Sequence, residues 1–259
     1  MKNFALLAMT LSASAIAQPQ PTAPAATGII NPQFNAARPR AVYPVPYTVP
    51  TPEEVTKVLV RVRDYLAANT PARFVHRTTG AEITELPNPD AVLERGVFNI
   101  IGYEWGVVYS GMLAVADATG DAAFRDYADQ RMKFIALNAP KFRTATPAAA
   151  PAASGAPGGR GGAGGAFRSV NNPRTLDDSG SMCAAMIKSI RAGIGGDLRP
   201  IVDNYISWIH GPEPKDIQHQ ERLADGTLSR SRPLPKSLWL DDLYMSVPAL
   251  AQMGKLTGD

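Results

Sequence analysis

Apolar and polar residues recur along most of this chain with the period of a helix. Thr51-Pro52-Glu53-Glu54 sets a capping hydroxyl, a proline suited to the first helical position and a capping-box glutamate in succession. Val55, Val58, Leu59, Val62 and Leu66 follow at spacings that line one helical face. Residues 100–118 are apolar around most of the circumference, the pattern of an inner, largely buried helix. Thr119-Gly120-Asp121 breaks that run, and Asp121 stands where it caps a next helix with Phe124, Tyr127, Ala128, Met132 and Ile135 on one face. Further helices are predicted from about Ser179 to Ala192, ending at Gly193, and from Leu198 to His210, ending at Gly211. A sixth runs from near Trp239 to near Gly254.

Only short stretches carry the two-residue period of a strand. Arg73-Phe74-Val75-His76 and Ala81-Glu82-Ile83-Thr84 flank a Thr-Gly turn. Gln220 to Arg230 holds Asp225-Gly226 between partly alternating residues, which reads as a second hairpin. There is also an internal echo: AVADATGD (114–121) and ALAQMGKLTGD (249–259) both close an apolar helix with Thr-Gly-Asp. Helix pairs joined by repeated turns point to a helical array or toroid.

Composition narrows the class further. The chain has 259 residues, of which 45% are hydrophobic and 19% charged, so it buries a core readily and is neither a disordered chain nor a disulfide-stapled miniature. Net charge is only +3, and no Lys/Arg cluster exceeds a dipeptide, which gives no footprint for nucleic acid. The one cysteine, Cys183, excludes an internal disulfide and a cysteine-based zinc site. His76, His210 and His219 lie far apart in sequence, which argues against a histidine metal site.

Residues 1–17, MKNFALLAMTLSASAIA, have the grammar of a secretory signal: a Lys near the start, a short apolar run and a small-x-small ending. The apolar run is too short for a permanent membrane anchor. The expected location is therefore periplasmic or secreted. Residues 18–50 form a Pro/Ala-rich leader. Residues 144–167, rich in Gly, Pro and Ala, read as a mobile insertion without a core of its own. Its Gly-Gly-Arg-Gly-Gly run lacks the Lys-Ser/Thr ending of a phosphate-binding loop.

Two acidic pairs carry the candidate chemistry: Asp177-Asp178, in LDDSG, and Asp241-Asp242, in WLDDLYM. Each begins a predicted helix, where carboxylates commonly cap free N–H groups and meet the helix dipole. Trp239, Tyr244 and Met245 crowd the second pair, and an aromatic beside an acid at a helix mouth suits a sugar site.

Tyr103-Glu104-Trp105-Gly106-Val107 with Gly111, Leu176-Asp177-Asp178-Ser179-Gly180, Asp225-Gly226-Thr227-Leu228 with Arg230 and Arg232-Pro233, and Leu238-Trp239-Leu240-Asp241-Asp242-Leu243-Tyr244-Met245 with Pro248 occur in that order. Together with the two Thr-Gly-Asp turns, the set resembles the unsaturated rhamnogalacturonyl hydrolases. These are glycoside hydrolases of family 105, related to the unsaturated glucuronyl hydrolases of family 88. The resemblance covers roughly residues 51–259.

It implies an all-α fold, the (α/α)6 barrel, here with one or two short β-hairpins. It also implies a substrate: an oligosaccharide ending in a 4,5-unsaturated uronic acid, as pectin lyases leave behind. In such enzymes an aspartic acid protonates C4 of the vinyl ether and water adds at C5. The hemiketal then opens and releases the second sugar, unlike the displacement used by ordinary glycosidases. By resemblance Asp241 is the proton donor and base, and Asp178 the second essential acid. Asp177 and Asp242 then read as caps or supporting partners. Tyr103 and Trp105 match an aromatic pair set against the unsaturated sugar, and Trp239 and Met182 are further candidates to edge the pocket. Arg230 and Arg232 are candidates to meet the substrate carboxylate bidentately, with solvated hairpin charge as the alternative. His219 reads as surface and Cys183 as core. No cofactor, metal, nucleic acid or membrane anchor is implied, and oligomeric state is open.

Two alternatives stay open: unsaturated glucuronyl hydrolysis of other polysaccharide fragments, and a non-catalytic carbohydrate-binding or defective remnant. Six predicted helices against the twelve of the resembled barrel lead to the expectation that this chain is roughly the N-terminal half of the domain.

Overall fold

A computed structural model describes residues 49–143, 165–211, 221–230 and 234–258. The expected signal segment, nearly all of the leader, most of the Gly-rich insertion, His219 and Arg232 lie outside the described residues. Helix α1 spans Pro52–Asn69, with the capping box complete: Thr51 Oγ1 accepts from the Glu54 N–H, and the Glu54 carboxylate accepts from the Thr51 N–H. Only the later part of its apolar stripe is used. Leu66 is buried and Leu59 packs partly, whereas Val55, Val58 and Val62 stay exposed, because α1 rests on the fold mainly where Arg63 bonds Asp121 and lies over the Phe124 ring.

Three strands follow. β1 (Phe74–His76) pairs antiparallel with β2 (Glu82–Ile83) and with β3 (Ala91–Leu93), giving the order β2-β1-β3. Phe74 sits opposite both Ile83 and Leu93. The Thr-Gly hairpin is as expected from the sequence, while β3 is an addition, too short to show a period. The second expected hairpin, around Asp225-Gly226, is a turn closed by one bridge between Arg222 and Leu228, without strands.

Helix α2 (Tyr103–Thr119) ends on Gly120, whose φ of +74° gives the left-handed turn that glycine tolerates; its N–H closes on Ala116 O. The same device closes the last helix at Gly258, so the sequence echo is a repeated helix stop. Asp121 caps α3 (Ala122–Asn138), and Phe124, Tyr127, Ala128, Met132 and Ile135 are all buried, as its periodicity predicts. A 3-10 turn (Ala139–Phe142) and a short helix α4 (Arg168–Asn171) lie on either side of residues 144–164. Phe167 was expected in the loop but belongs to the core. It is fully buried and stacks on Phe142 with centroids 5.6 Å apart, beside Phe74 and Phe134.

Helices α5 (Leu176–Arg191), α6 (Arg199–His210) and α7 (Asp242–Thr257) complete the described fold. α5 is central, packed against α2, α6 and α7 and buried on most sides. α3 packs on α2 and α5, and α6 on α5 and α7. The fold is mostly helical with one small antiparallel sheet, in keeping with part of a helical toroid. No helix among the described residues is long and apolar enough to cross a membrane.

Candidate functional site

The first turns of α2, α5 and α7 come together at one end of the fold, and two glycines bring them there. A Cβ at Gly106 in α2 would overlap the backbone of Ser181 and Met182 in α5. A Cβ at Gly180 in α5 would overlap the backbone of Met245 in α7. Removing both Cβ atoms lets the helix backbones meet at distances closed to any other residue. Ser181 Oγ ties the arrangement by donating to the Tyr103 carbonyl at 2.6 Å. Farther along, Arg191 near the end of α5 reaches Gln252 in α7, so those two helices run in the same direction.

The convergence gathers Tyr103 and Glu104 from α2, Asp177 and Asp178 from α5, and Asp241 and Asp242 from the start of α7. Both acidic pairs differ in register from the sequence expectation. α5 starts three residues earlier than expected, with Thr175 as its cap, so Asp177 and Asp178 lie in the first turn. α7 starts at Asp242, and Asp241 holds the cap position without a side-chain capping bond.

The four aspartates occupy different environments. Asp242 is buried, with its side chain 9% exposed, whereas the Asp241 side chain is 49% exposed. Adjacent residues on a helix point about 100° apart, so one faces the packed interior and the other the rim. Asp178 is half-buried; its Oδ2 accepts from the Arg174 N–H at 3.1 Å, and its own N–H is capped by Thr175. Burial pushes the Asp178 carboxyl above the usual carboxylate range, which the Arg174 N–H and the nearby Arg168 only partly offset. Tyr103 is exposed, and the carboxylates around it, Glu104 first and then Asp177 and Asp241, hold its phenol above the usual range.

Arg230 sits among these acids. Its Nε donates to Asp242 Oδ2 at 2.9 Å and its Nη2 to Asp242 Oδ1, a bidentate pair. The same Nη2 donates to Asp177 Oδ1 at 3.3 Å and lies 3.7 Å from Asp241 Oδ1. Its guanidinium stacks 4.3 Å over the Trp239 ring, and the Asp242 carboxylate also accepts the Trp239 N–H. The Asp242 bond, chief among these contacts, holds the guanidinium above its ordinary pKa. Arg230, a candidate for the substrate carboxylate, thus has its Nε and Nη2 engaged by protein carboxylates.

Two expected sugar contacts are corrected. Trp105 is buried, donates its indole N–H to Tyr127 Oη at 3.0 Å and packs on Phe98. Met182 is fully buried in the core beneath Gly106. Both lie on the inward side of their helices, which a pattern of apolar residues in one helix does not reveal when every side is covered. Cys183 is buried in the core, as expected. Trp239 is half-exposed under Arg230, and Tyr103 stands near enough to Asp177 and Asp241 to feel both charges, whereas the neighbours of the Asp178 carboxyl are Arg168, Arg174, Asp177 and Tyr205. Sequence reasoning missed Glu104. An acid in the first turn of an otherwise apolar inner helix is the signal that marks it.

A family model described as Glycosyl Hydrolase Family 88 matches residues 73–259, which takes in every residue of this rim. A comparison with curated proteins gave no match.

Proposed function

The chain belongs to glycosyl hydrolase family 88 and is a glycoside hydrolase, and from that premise we propose that it is an unsaturated uronyl hydrolase of the rhamnogalacturonyl type. Its substrate in this reading is a pectin-derived disaccharide with a 4,5-unsaturated galacturonic acid at the non-reducing end. The observation that carries the proposal is the acidic rim built from three helix starts, where, among the described residues, the accessible Asp241 stands among carboxylates that outnumber the cations.

The chemistry follows from that excess. Among the described residues three carboxylates share the Arg230 guanidinium, Glu104 lies beside Tyr103, and Asp178 has Arg168 and Arg174 near it as well as Asp177. An arriving uronate adds another negative charge to this cluster while excluding water. Both effects favour a neutral carboxyl in the occupied pocket. Asp241, the most accessible of the aspartates on α7, delivers its proton to C4 of the vinyl ether. The C5 cation-like centre takes a water molecule, whose proton returns to the Asp241 carboxylate. The resulting hemiketal opens and frees the second sugar. Asp178, which burial biases toward its protonated form, meets the sugar as a hydrogen-bonding acid. Tyr103 and Trp239 offer ring faces to it. With residues 1–17 as an export signal, the enzyme works in the periplasm or outside the cell.

The test is to incubate the purified chain with an unsaturated galacturonyl-rhamnose disaccharide and follow the ultraviolet absorbance of the C4=C5 bond. Loss of absorbance with release of rhamnose is expected, and Asp241→Asn abolishes it. An unsaturated glucuronyl disaccharide in parallel separates the two substrate classes: preference for it overturns the rhamnogalacturonyl assignment. No loss with either substrate overturns the uronyl hydrolase reading.

A further inference from the structure

We propose that Arg230 is a positioning residue: by bonding Asp242 and Asp177 at once it joins the first turn of α7 to the first turn of α5 and so fixes where Asp241 stands. This rests on the reading above in one respect, that Asp241 is the proton donor. Four observations carry it. The Arg230 backbone is pinned by a reciprocal pair of hydrogen bonds with Ser237, 3.0 Å and 2.9 Å, so the guanidinium starts from a fixed base. Its side chain is 16% exposed and stacked on Trp239, which limits its rotation. Its Nε and Nη2 span the two oxygens of Asp242, a geometry open to a planar fork and closed to an ammonium. Its Nη2 then reaches Asp177 on the neighbouring helix at 3.3 Å.

The consequence is geometric. Asp241 has no capping bond of its own, so its place depends on the backbone turn that Asp242 anchors. Without Arg230, Asp242 keeps a buried carboxylate with no cation among the described residues, and Asp177, Asp241 and Asp242 repel one another across the α5–α7 junction. The first turn of α7 shifts away from α5, and Asp241 shifts with it. A misplacement of about 1 Å at a reacting group lowers turnover roughly 100-fold. Substrate affinity, set by other groups, changes little.

The experiment compares wild type, Arg230→Met and Arg230→Lys on the unsaturated disaccharide and on its uronate methyl ester. Expected for Arg230→Met is a loss of kcat of roughly 100-fold, with KM within about twofold, since uniform binding is untouched. Arg230→Lys, which keeps the charge without the fork, recovers a fraction of that loss, and it serves in place of the Met variant should the latter not fold. The ratio of ester to acid turnover stays as in wild type. If instead KM rises and the variant no longer distinguishes ester from acid, Arg230 binds the substrate carboxylate and the proposal is overturned. Unchanged kcat overturns it as well.

A thermal-melt cycle decides the clamp without any activity. Arg230→Met and Asp177→Asn each lower Tm, and the double variant melts no lower than Arg230→Met alone, because the bond is already lost. Additive losses overturn the clamp. If wild type turns over no unsaturated disaccharide, the functional reading fails while this cycle still decides the link between α5 and α7.

Discussion

Replacing Gly180 by Ala tests the packing that builds the rim, because helix propensity and tertiary contact predict opposite signs. Within a helix interior, Gly→Ala is favourable by about 1 kcal/mol from backbone entropy alone. At Gly180, however, even the Met245 Cα would lie 2.6 Å from the new Cβ, against about 3.5–4.0 Å for carbon atoms in good contact. The obstacle is backbone, which cannot turn aside as a side chain does, and the Met245 carbonyl carbon and oxygen would lie closer still, so α5 and α7 must part by more than about 1 Å. A gap of that size forfeits about half of each contact, and a buried side chain of Met245's size makes about 50 contacts of 0.1–0.2 kcal/mol each, a loss of about 3–5 kcal/mol. Subtracting the propensity gain leaves a net destabilisation of about 2–4 kcal/mol, at the upper end for overpacked cores. In a domain of this size that lowers Tm by roughly 2–4 °C per kcal/mol.

The control is Gly111→Ala in α2, where a Cβ meets nothing within 4 Å and the backbone φ is ordinary. There the propensity term stands alone, and a gain of about 0.5–1 kcal/mol is expected. Urea unfolding followed by far-ultraviolet circular dichroism measures both variants against wild type. A Gly180→Ala protein as stable as wild type, or gaining as much as Gly111→Ala, refutes the close approach of α5 and α7 and with it the argument for the rim.

Two further predictions concern single groups. Burial raises the Asp178 carboxyl in the folded state, so its ionisation costs stability as pH rises through that raised value, and the cost is absent below the ordinary Asp range of about 3.9. Asp178→Asn, whose amide oxygen still accepts the Arg174 N–H, is therefore expected to melt above wild type at neutral pH and level with it near pH 3; an advantage that persists in acid contradicts the burial argument. Burial pushes the Cys183 thiol far up, so a thiol reagent is expected to leave the native protein untouched and to titrate one equivalent on unfolding. Rapid native labelling would show that the α5 core is open.

Much of this architecture was legible residue by residue, because helix signals are local. The Thr51–Glu54 capping box, the Asp121 cap, the glycine stops at 120 and 258 and the buried face of α3 each rest on residues a few positions apart. The acidic pairs were visible for the same reason, as carboxylates at helix starts. Features that depend on chain partners distant in sequence were not. β3 is three residues whose strand character comes from pairing with β1. The exposure of Val55, Val58 and Val62 follows from where α1 touches α3, not from their spacing.

By itself, then, the sequence determined where the six long helices of the described residues lie, to within about a turn at their ends, and that two aspartate pairs open two of them. Tertiary structure alone decided how those aspartates differ. Gly106 and Gly180 let three helix starts close on one another, and that approach buries Asp242 and leaves Asp241 accessible. It turned Trp105 and Met182 inward and handed the Arg230 fork to three protein carboxylates. The physical reason is one of range. Capping and propensity act within a helical turn, whereas charge pairing and burial depend on which other helix stands a few ångströms away.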